Sequence, residues 1–235
     1  MALDIQWGYH NIWIHGEDQW KAMFKTPYGI FKPKVMLFGL SNSPSTFQRF
    51  MDQIFALLKQ WYLGMIFAYM DDILIATGDD LALHQQIVHE VLELLEKESL
   101  FCKLFKCYFE QCSITYLGII VEAGMIRIDP TKINSLLAWP QMLKSVKQVW
   151  SMLGVFEYHH AFIPGYTNMV QPLNNLLKTD APFIWGKEQE EAMDQLAYAV
   201  SINPVLRRPN YKKPFFLEVD ASQYATGAVL SQKND

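Results

Sequence analysis

Met65-Ile-Phe-Ala-Tyr-Met-Asp-Asp-Ile-Leu-Ile-Ala76 places two adjacent carboxylates, Asp71 and Asp72, between two apolar runs. Both runs have the length and composition of short buried strands. Because Asp is a poor strand former and a good turn former, the stretch predicts a β-hairpin with the Asp pair at its tip. Two like charges there are costly unless cations or polar partners offset them. A pair of divalent metal ions would do so and could drive nucleotidyl transfer.

Strand and helix signals alternate around this hairpin. Ser43 is predicted to cap a helix that Pro44 opens, and an amphipathic helix is predicted over residues 80–98. Besides the hairpin, strands are predicted at Trp20–Lys25, Val35–Phe38, Lys106–Phe109 and Ile114–Val121. This order predicts an α+β fold, an antiparallel sheet with helices on one face.

The pattern changes at Asp129-Pro130, where helix signals take over. Helices are predicted over Thr131–Trp139, Ser145–Tyr158, Pro172–Leu177 and Glu188–Val200. The last piece, Pro214–Ser231, shows strand alternation, but two strands cannot hold a core alone, so we interpret it as truncated. The expected domains are residues 1–122, 123–205 and 206–235.

Composition supports a folded protein and restricts its setting. Of 235 residues, 51% are hydrophobic and 14% aromatic, which argues against disorder. The net charge of −4 does not favour a nucleic-acid partner, although a carboxylate metal site would add negative charge locally. Cys102, Cys107 and Cys112 have no zinc-site spacing and are expected to be reduced thiols. With no signal peptide or membrane-spanning run, we expect an intracellular protein.

The Asp pair alone is a moderate signal, since a solvated turn is the commoner explanation of such a dipeptide. Three further features favour a functional site. Asp4 ends the strand-like segment Ala2–Ile5, Tyr9 follows five residues later, and a Gly turn feeds a capped helix within Phe38–Gln48. Strand core packing is the expected role of Trp7 and Trp20, whereas His84 and His89 are expected to be solvated helix residues.

Taken together, the motifs resemble the reverse transcriptases of gypsy-type LTR retrotransposons over essentially the whole chain. The matching stretches are Asp4–His10, Phe24–Gly29, Phe38–Gln48, Tyr69–Asp72, Tyr116–Gly118, Asp180–Gly186 and Glu218–Ser222. The resemblance implies a polymerase palm with a remnant of the fingers, followed by a helical thumb/connection and a truncated RNase H-like β-hairpin.

The resemblance also implies a role for each matched residue. Asp4 and Asp71 would hold two Mg²⁺ ions, or Mn²⁺ in their place, with Asp72 in support. Tyr9 would block a ribose 2′-hydroxyl and so select deoxynucleotides. The remaining nucleotide-binding residues would be Phe38, Gly39, Gln48 and one of Lys103 and Lys106, between which the sequence does not decide. The primer-contacting residues would be Tyr69, Met70, Tyr116, Leu117 and Gly118.

Two functions of different classes therefore stand at this point. One is an RNA-directed DNA polymerase core that extends a primer on an RNA or DNA template with deoxynucleoside triphosphates, in the cytoplasm, a virus-like particle or the nucleus. The other is an inactive retroelement fragment that at most binds nucleic acid or protein. The intact carboxylates favour the first, whereas the missing fingers segment and the net charge favour the second. Because only Asp220 of the RNase H carboxylates is matched, no RNase H activity is expected.

Overall fold

The computed structural model describes residues 1–78, 80–140, 142–178, 182–202, 205–207, 209, 213–221 and 226–233. Its contacts divide the chain into two units, Met1–Ala123 and Gly124–Asp235. The strands of the first unit are β1 (Ala2–Asp4), β2 (Phe24–Thr26), β3 (Gly29–Phe31), β4 (Ile66–Tyr69), β5 (Asp72–Ile75), β6 (Ser113–Tyr116) and β7 (Ile119–Glu122). Its α-helices are α1 (Ser43–Ile54), α2 (Ala56–Trp61) and α3 (Leu81–Lys97).

A three-stranded antiparallel sheet of order β1-β5-β4 lies at the centre of the first unit. The predicted hairpin is confirmed, because Tyr69 pairs with Asp72 across a turn made of Met70 and Asp71. Met70 has a φ of 54°, a left-handed conformation that costs a residue with a side chain roughly 1–2 kcal/mol. The turn therefore needs support from outside the hairpin.

Helices α1 and α3 share one hydrophobic core with the sheet. Phe47 and Met51 of α1 are buried there, and so are Ile87 and Val91 of α3. Helix α3 follows the predicted range closely, because Asp80 caps it by accepting a hydrogen bond from the backbone N–H of Leu83 at 2.9 Å. The α+β prediction for this unit is confirmed.

Several local predictions for the first unit are wrong. Ser43 does not cap α1 but is its first residue, and its hydroxyl donates to the Leu37 carbonyl at 3.0 Å. Leu104–Lys106 forms a 3-10 turn, so Lys106–Phe109 is no strand and pairs only at Tyr108. Between Trp20 and Phe38 the strands are limited to the hairpin β2–β3, with an isolated β-bridge at Val35. Ile114–Val121 is two strands, because Leu117 and Gly118 take left-handed turn conformations.

Three side chains also differ from expectation in burial. Trp7 and Trp20 are 63% and 60% exposed because each lies at a 3-10 turn, without the alternation that directs strand residues inward. His84 is buried, and its Nδ1 lies 2.9 Å from the Thr77 hydroxyl. Burial lowers the pKa of His84, the Met1 ammonium lowers it further, and Glu110 opposes both effects.

The second unit contains the four remaining α-helices of the described residues. They are α4 (Pro130–Leu137), α5 (Val146–Tyr158), α6 (Tyr166–Asn175) and α7 (Lys187–Ser201). Its strands are β8 (Met125–Ile128), β9 (Val205–Arg207), β10 (Phe216–Ala221) and β11 (Thr226–Ser231), which pair as β8–β9 and β10–β11. Asp129 and Ser145 cap α4 and α5.

Two features of this unit differ from the sequence prediction. Helix α6 begins six residues before Pro172, after Gly165 with a φ of 71°, so that proline lies inside the helix rather than opening it. The pair β8–β9 was not predicted, because its strands are short and far apart in the chain. No helix in the described part of the chain is long and apolar enough to cross a membrane.

Candidate active site

The fold brings the three predicted carboxylates to one end of the central sheet. Asp4, at the end of β1, pairs in register with Asp72, which pairs in turn with Tyr69. Asp71 lies beside them in the hairpin turn, and its carbonyl accepts a hydrogen bond from the Ile5 N–H at 2.8 Å. In-register partners project from the same face of a sheet, so Asp4 faces Asp72 most directly.

This end of the sheet is electrostatically strained. Burial raises the pKa of Asp72, and the neighbouring carboxylates Asp71 and Asp4 raise it further. Lys106 and Lys103 act in the opposite direction and lower that pKa. Clustered carboxylates with desolvated oxygens are typical of sites that take up cations.

Both lysines that the sequence left as alternatives reach Asp4. The Lys103 Nζ lies 3.1 Å from Oδ1 of Asp4, and the Lys106 Nζ lies 3.3 Å from Oδ2. The main chain fixes this arrangement, because the Lys103 N–H donates to the Asp4 carbonyl at 2.9 Å and the backbone of Cys102 forms an isolated antiparallel β-bridge with that of Ile5. Sequence reasoning placed one of the two lysines near the nucleotide without deciding which, and it missed the pairing of both with Asp4.

The carboxylates fit magnesium in their chemistry but do not form a preassembled metal centre. Among the described residues, no three His, Cys, Asp or Glu side chains already form a group that could hold a metal ion. Oδ1 of Asp4 is nevertheless buried without a hydrogen-bond donor in suitable geometry, since its contact with Lys103 is an ion pair only. Hard carboxylate oxygens of this kind are the ligands that Mg²⁺ prefers.

Gln48 on α1 supports the strained hairpin turn from outside. Its Oε1 accepts a hydrogen bond from the Met70 N–H at 2.7 Å, and its Nε2 donates to the Ala68 carbonyl at 3.2 Å. Nε2 also lies 3.2 Å from a carboxylate oxygen of Asp52. This contact between α1 and the hairpin was missed, because no local pattern shows which backbone groups a helical Gln will meet.

Aromatic rings flank the carboxylates on the side predicted to take the nucleotide. The Tyr9 ring centroid lies 4.9 Å from that of Phe38 and 5.5 Å from that of Phe47. Burial raises the pKa of Tyr9, with smaller contributions from Asp71 and Tyr69. Phe38 is 70% exposed, and Gly39 has a φ of 93° with open space where a Cβ would lie. Tyr9 and Phe38 therefore lie beside an accessible glycine turn.

The predicted primer-contacting residues lie on two hairpin turns. Tyr69 and Met70 belong to the carboxylate hairpin, while Leu117 and Gly118 form the turn between β6 and β7. Tyr116 connects the two, because its hydroxyl donates to the Asp72 carbonyl at 3.3 Å. The side chain of Asp220 and the stretches Asp180-Ala181 and 222–225 lie outside the described residues.

Comparison with protein families gives two matches along the chain. A model described as reverse transcriptase (RNA-dependent DNA polymerase) matches residues 1–121. A model described as the RNase H-like domain found in reverse transcriptase matches residues 185–235. The first match contains every candidate site residue of the first unit.

Individual relatives agree with these matches. The chain is 35% identical over 233 residues to the transposon Tf2-3 polyprotein of Schizosaccharomyces pombe, covering 99% of the chain and 17% of the polyprotein. It is 34% identical to the Tf2-7 polyprotein over the same length. The chain thus spans about a sixth of these relatives.

The fold also matches solved structures. A foamy viral protease-reverse transcriptase in complex with RNA/DNA hybrid superposes with a TM-score of 0.76 at 18% identity, covering 98% of this chain and 33% of that one. A related structure in complex with double-stranded DNA gives 0.78 at 20% identity, covering 94% and 38%. At this identity the likeness concerns the fold.

Proposed function

The chain belongs to the reverse transcriptase family of RNA-dependent DNA polymerases, and we propose that it carries the polymerase active site of a gypsy-type LTR retrotransposon polyprotein. The observation that carries the proposal is the convergence of Asp4, Asp71 and Asp72 at one end of the β1-β5-β4 sheet. A solvated turn would need none of this arrangement, whereas nucleotidyl transfer needs clustered carboxylates.

In this proposal Asp4, Asp71 and Asp72 hold two Mg²⁺ ions, or Mn²⁺ in their place. When bound, the ions would activate the primer 3′-hydroxyl and stabilise the charge that develops on the triphosphate. The fold contributes by fixing Asp4 and Asp72 on paired strands, so that two ligands are positioned by the main chain. Gln48 fixes the turn that presents Asp71.

The substrates follow from the neighbouring residues. We propose that Tyr9, Phe38 and Gly39 receive the sugar and base of a deoxynucleoside triphosphate, because an exposed ring and a glycine backbone permit close approach. Tyr9 would exclude a ribose 2′-hydroxyl. Lys103 and Lys106 would meet the phosphates.

We further propose that the primer end lies between the two hairpin turns, on Tyr69, Met70 and Tyr116–Gly118. The hydrogen bond from the Tyr116 hydroxyl to the Asp72 carbonyl would hold the β6–β7 turn, and with it the primer end, at a fixed position relative to the carboxylates. The template would be RNA or DNA. The helical segment 123–205 would serve as thumb/connection, residues 206–235 would begin an RNase H-like domain, and the protein would act inside the cell.

Primer extension by the 235-residue chain on an RNA template with Mg²⁺ tests the proposal. We expect extension that Asp71→Asn abolishes and that the matched surface variant Asp18→Asn leaves unchanged, since Asp18 forms an exposed ion pair with Lys21. If a chain shown by circular dichroism to be folded gives no extension with either metal, the inactive-fragment alternative replaces the polymerase proposal.

A further inference from the structure

Asp4 stands out among the three carboxylates because two ammonium groups hold it. Each of its oxygens faces a different lysine, Lys103 at 3.1 Å and Lys106 at 3.3 Å. The Asp4 side chain is only 17% exposed. Among the ion pairs described, this is the one in which a single carboxylate takes two cationic partners.

The two lysines are held in different ways. The backbone of Lys103 is fixed to β1 through its bond to the Asp4 carbonyl, and its side chain is 24% exposed. Lys106 ends the 3-10 turn Leu104–Lys106, and half of its side chain is exposed. Lys106 can therefore leave Asp4 for solvent or a bound anion at lower cost than Lys103.

The two lysines offset most of the negative charge that would attract a metal ion to the site. At formal charges, the three carboxylates contribute −3 and the two lysines +2, which leaves −1. A divalent cation approaching Asp4 is repelled by both ammonium groups and must displace at least one of them. Such competition weakens metal binding until another anion takes up the displaced lysine.

We infer that Lys103 and Lys106 form a cation latch, meaning a pair of ammonium groups that occupies Asp4 and competes with divalent metal ions for it. Lys103 is the fixed member, and Lys106 is the member that exchanges. Triphosphate anions would release the latch by drawing Lys106 away, so metal and nucleotide would bind cooperatively. The inference rests on the proposed polymerase function, because that function supplies the reason for metal at Asp4.

The latch can be tested by Mn²⁺ binding, measured from the electron paramagnetic resonance signal of free Mn²⁺, with no catalysis required. We expect Lys103→Met and Lys106→Met each to bind Mn²⁺ about tenfold more tightly, the size expected for a unit charge about 5 Å from a divalent ion in a water-like dielectric. The matched control Lys21→Met removes an exposed lysine that is paired with Asp18 and should bind as the unaltered chain does.

Charge-retaining variants keep the test decisive if a methionine variant fails to fold. Lys103→Arg and Lys106→Arg should keep the original Mn²⁺ affinity within about twofold, and Asp4→Asn should weaken it. Unchanged or weaker binding in both folded methionine variants overturns the latch, and so does an absence of Mn²⁺ binding in every variant. If the affinities change as expected but no primer is extended, the polymerase proposal fails while the latch stands.

Discussion

Replacing Gln48 by alanine should loosen the turn of the Asp71-Asp72 hairpin without removing any of the three carboxylates. The variant loses the bonds to the Met70 N–H at 2.7 Å and the Ala68 carbonyl at 3.2 Å. Each neutral hydrogen bond contributes about 1 kcal/mol, and a Met70 N–H without its acceptor adds about 1 kcal/mol more. Met70 can then leave its left-handed conformation more easily, so we expect the hairpin turn to lose about 2–3 kcal/mol of stability.

That loss should appear in catalysis more than in global stability. If about 2 kcal/mol of hairpin positioning is lost in the transition state, primer extension slows by about thirtyfold. Single-turnover extension measures this effect, and urea titration measures the accompanying change in the free energy of unfolding. The extension rate of Gln48→Glu should fall between those of Gln48→Ala and the original chain. The glutamate keeps an acceptor for the Met70 N–H, but it loses the donor to the Ala68 carbonyl and is repelled by the Asp52 carboxylate.

Gln53→Ala is the matched control for Gln48→Ala, since Gln53 is an exposed residue of the same helix. It should change the free energy of unfolding by no more than about 0.5 kcal/mol and leave extension unchanged. Extension by Gln48→Ala within threefold of the original chain, at the same urea midpoint, would refute the reasoning.

The remaining predictions concern packing and pH. A Cβ on Gly8 would lie 2.5 Å from Cζ of Phe47, so Gly8→Ala should destabilise the chain by about 1–3 kcal/mol in urea titration, whereas Gly16→Ala, with open space around its Cβ, should have little effect. Because the folded chain lowers the pKa of His84 below its ordinary value of 6.5, the unfolded chain binds this proton more readily, and stability should fall as the pH drops below 6.5. Urea titrations from pH 8 to pH 5 should show this loss reduced in His84→Gln but retained in His89→Gln, where the replaced side chain is exposed.

Local sequence signals predicted those parts of the fold whose cause is local. The Asp71-Asp72 hairpin follows from two apolar runs around two turn formers, and helix α3 follows from its regular apolar face. The family resemblance is also confirmed by the matches to the family and to the Tf2 polyproteins. The sequence could show it because it depends on several ordered motifs rather than on one. The roles of the individual site residues stay predictions.

Features that depend on distant partners could not be predicted in the same way. Lys106 and Asp4 are 102 positions apart, and Gln48 and Met70 are 22 apart, so no window of sequence contains both members of either pair. The same limit explains why Tyr108 was assigned to a strand of its own. Tyr108 instead forms an isolated antiparallel β-bridge with Ala2, on the strand that ends at Asp4.

Net charge was the weakest of the sequence arguments, because it averages over surfaces that a ligand meets separately. The chain carries −4 overall, yet residues 19–34 contain no Asp or Glu and four lysines, of which Lys21 is paired with Asp18. The same segment forms the β2–β3 hairpin, on which Phe24, Tyr28 and Phe31 are all more than 45% exposed. A polyanion responds to the charge within about a Debye length of its own surface, so an acidic cluster and a basic aromatic hairpin can coexist in one unit. The negative total therefore does not count against a nucleic-acid substrate once the charges are placed on the fold.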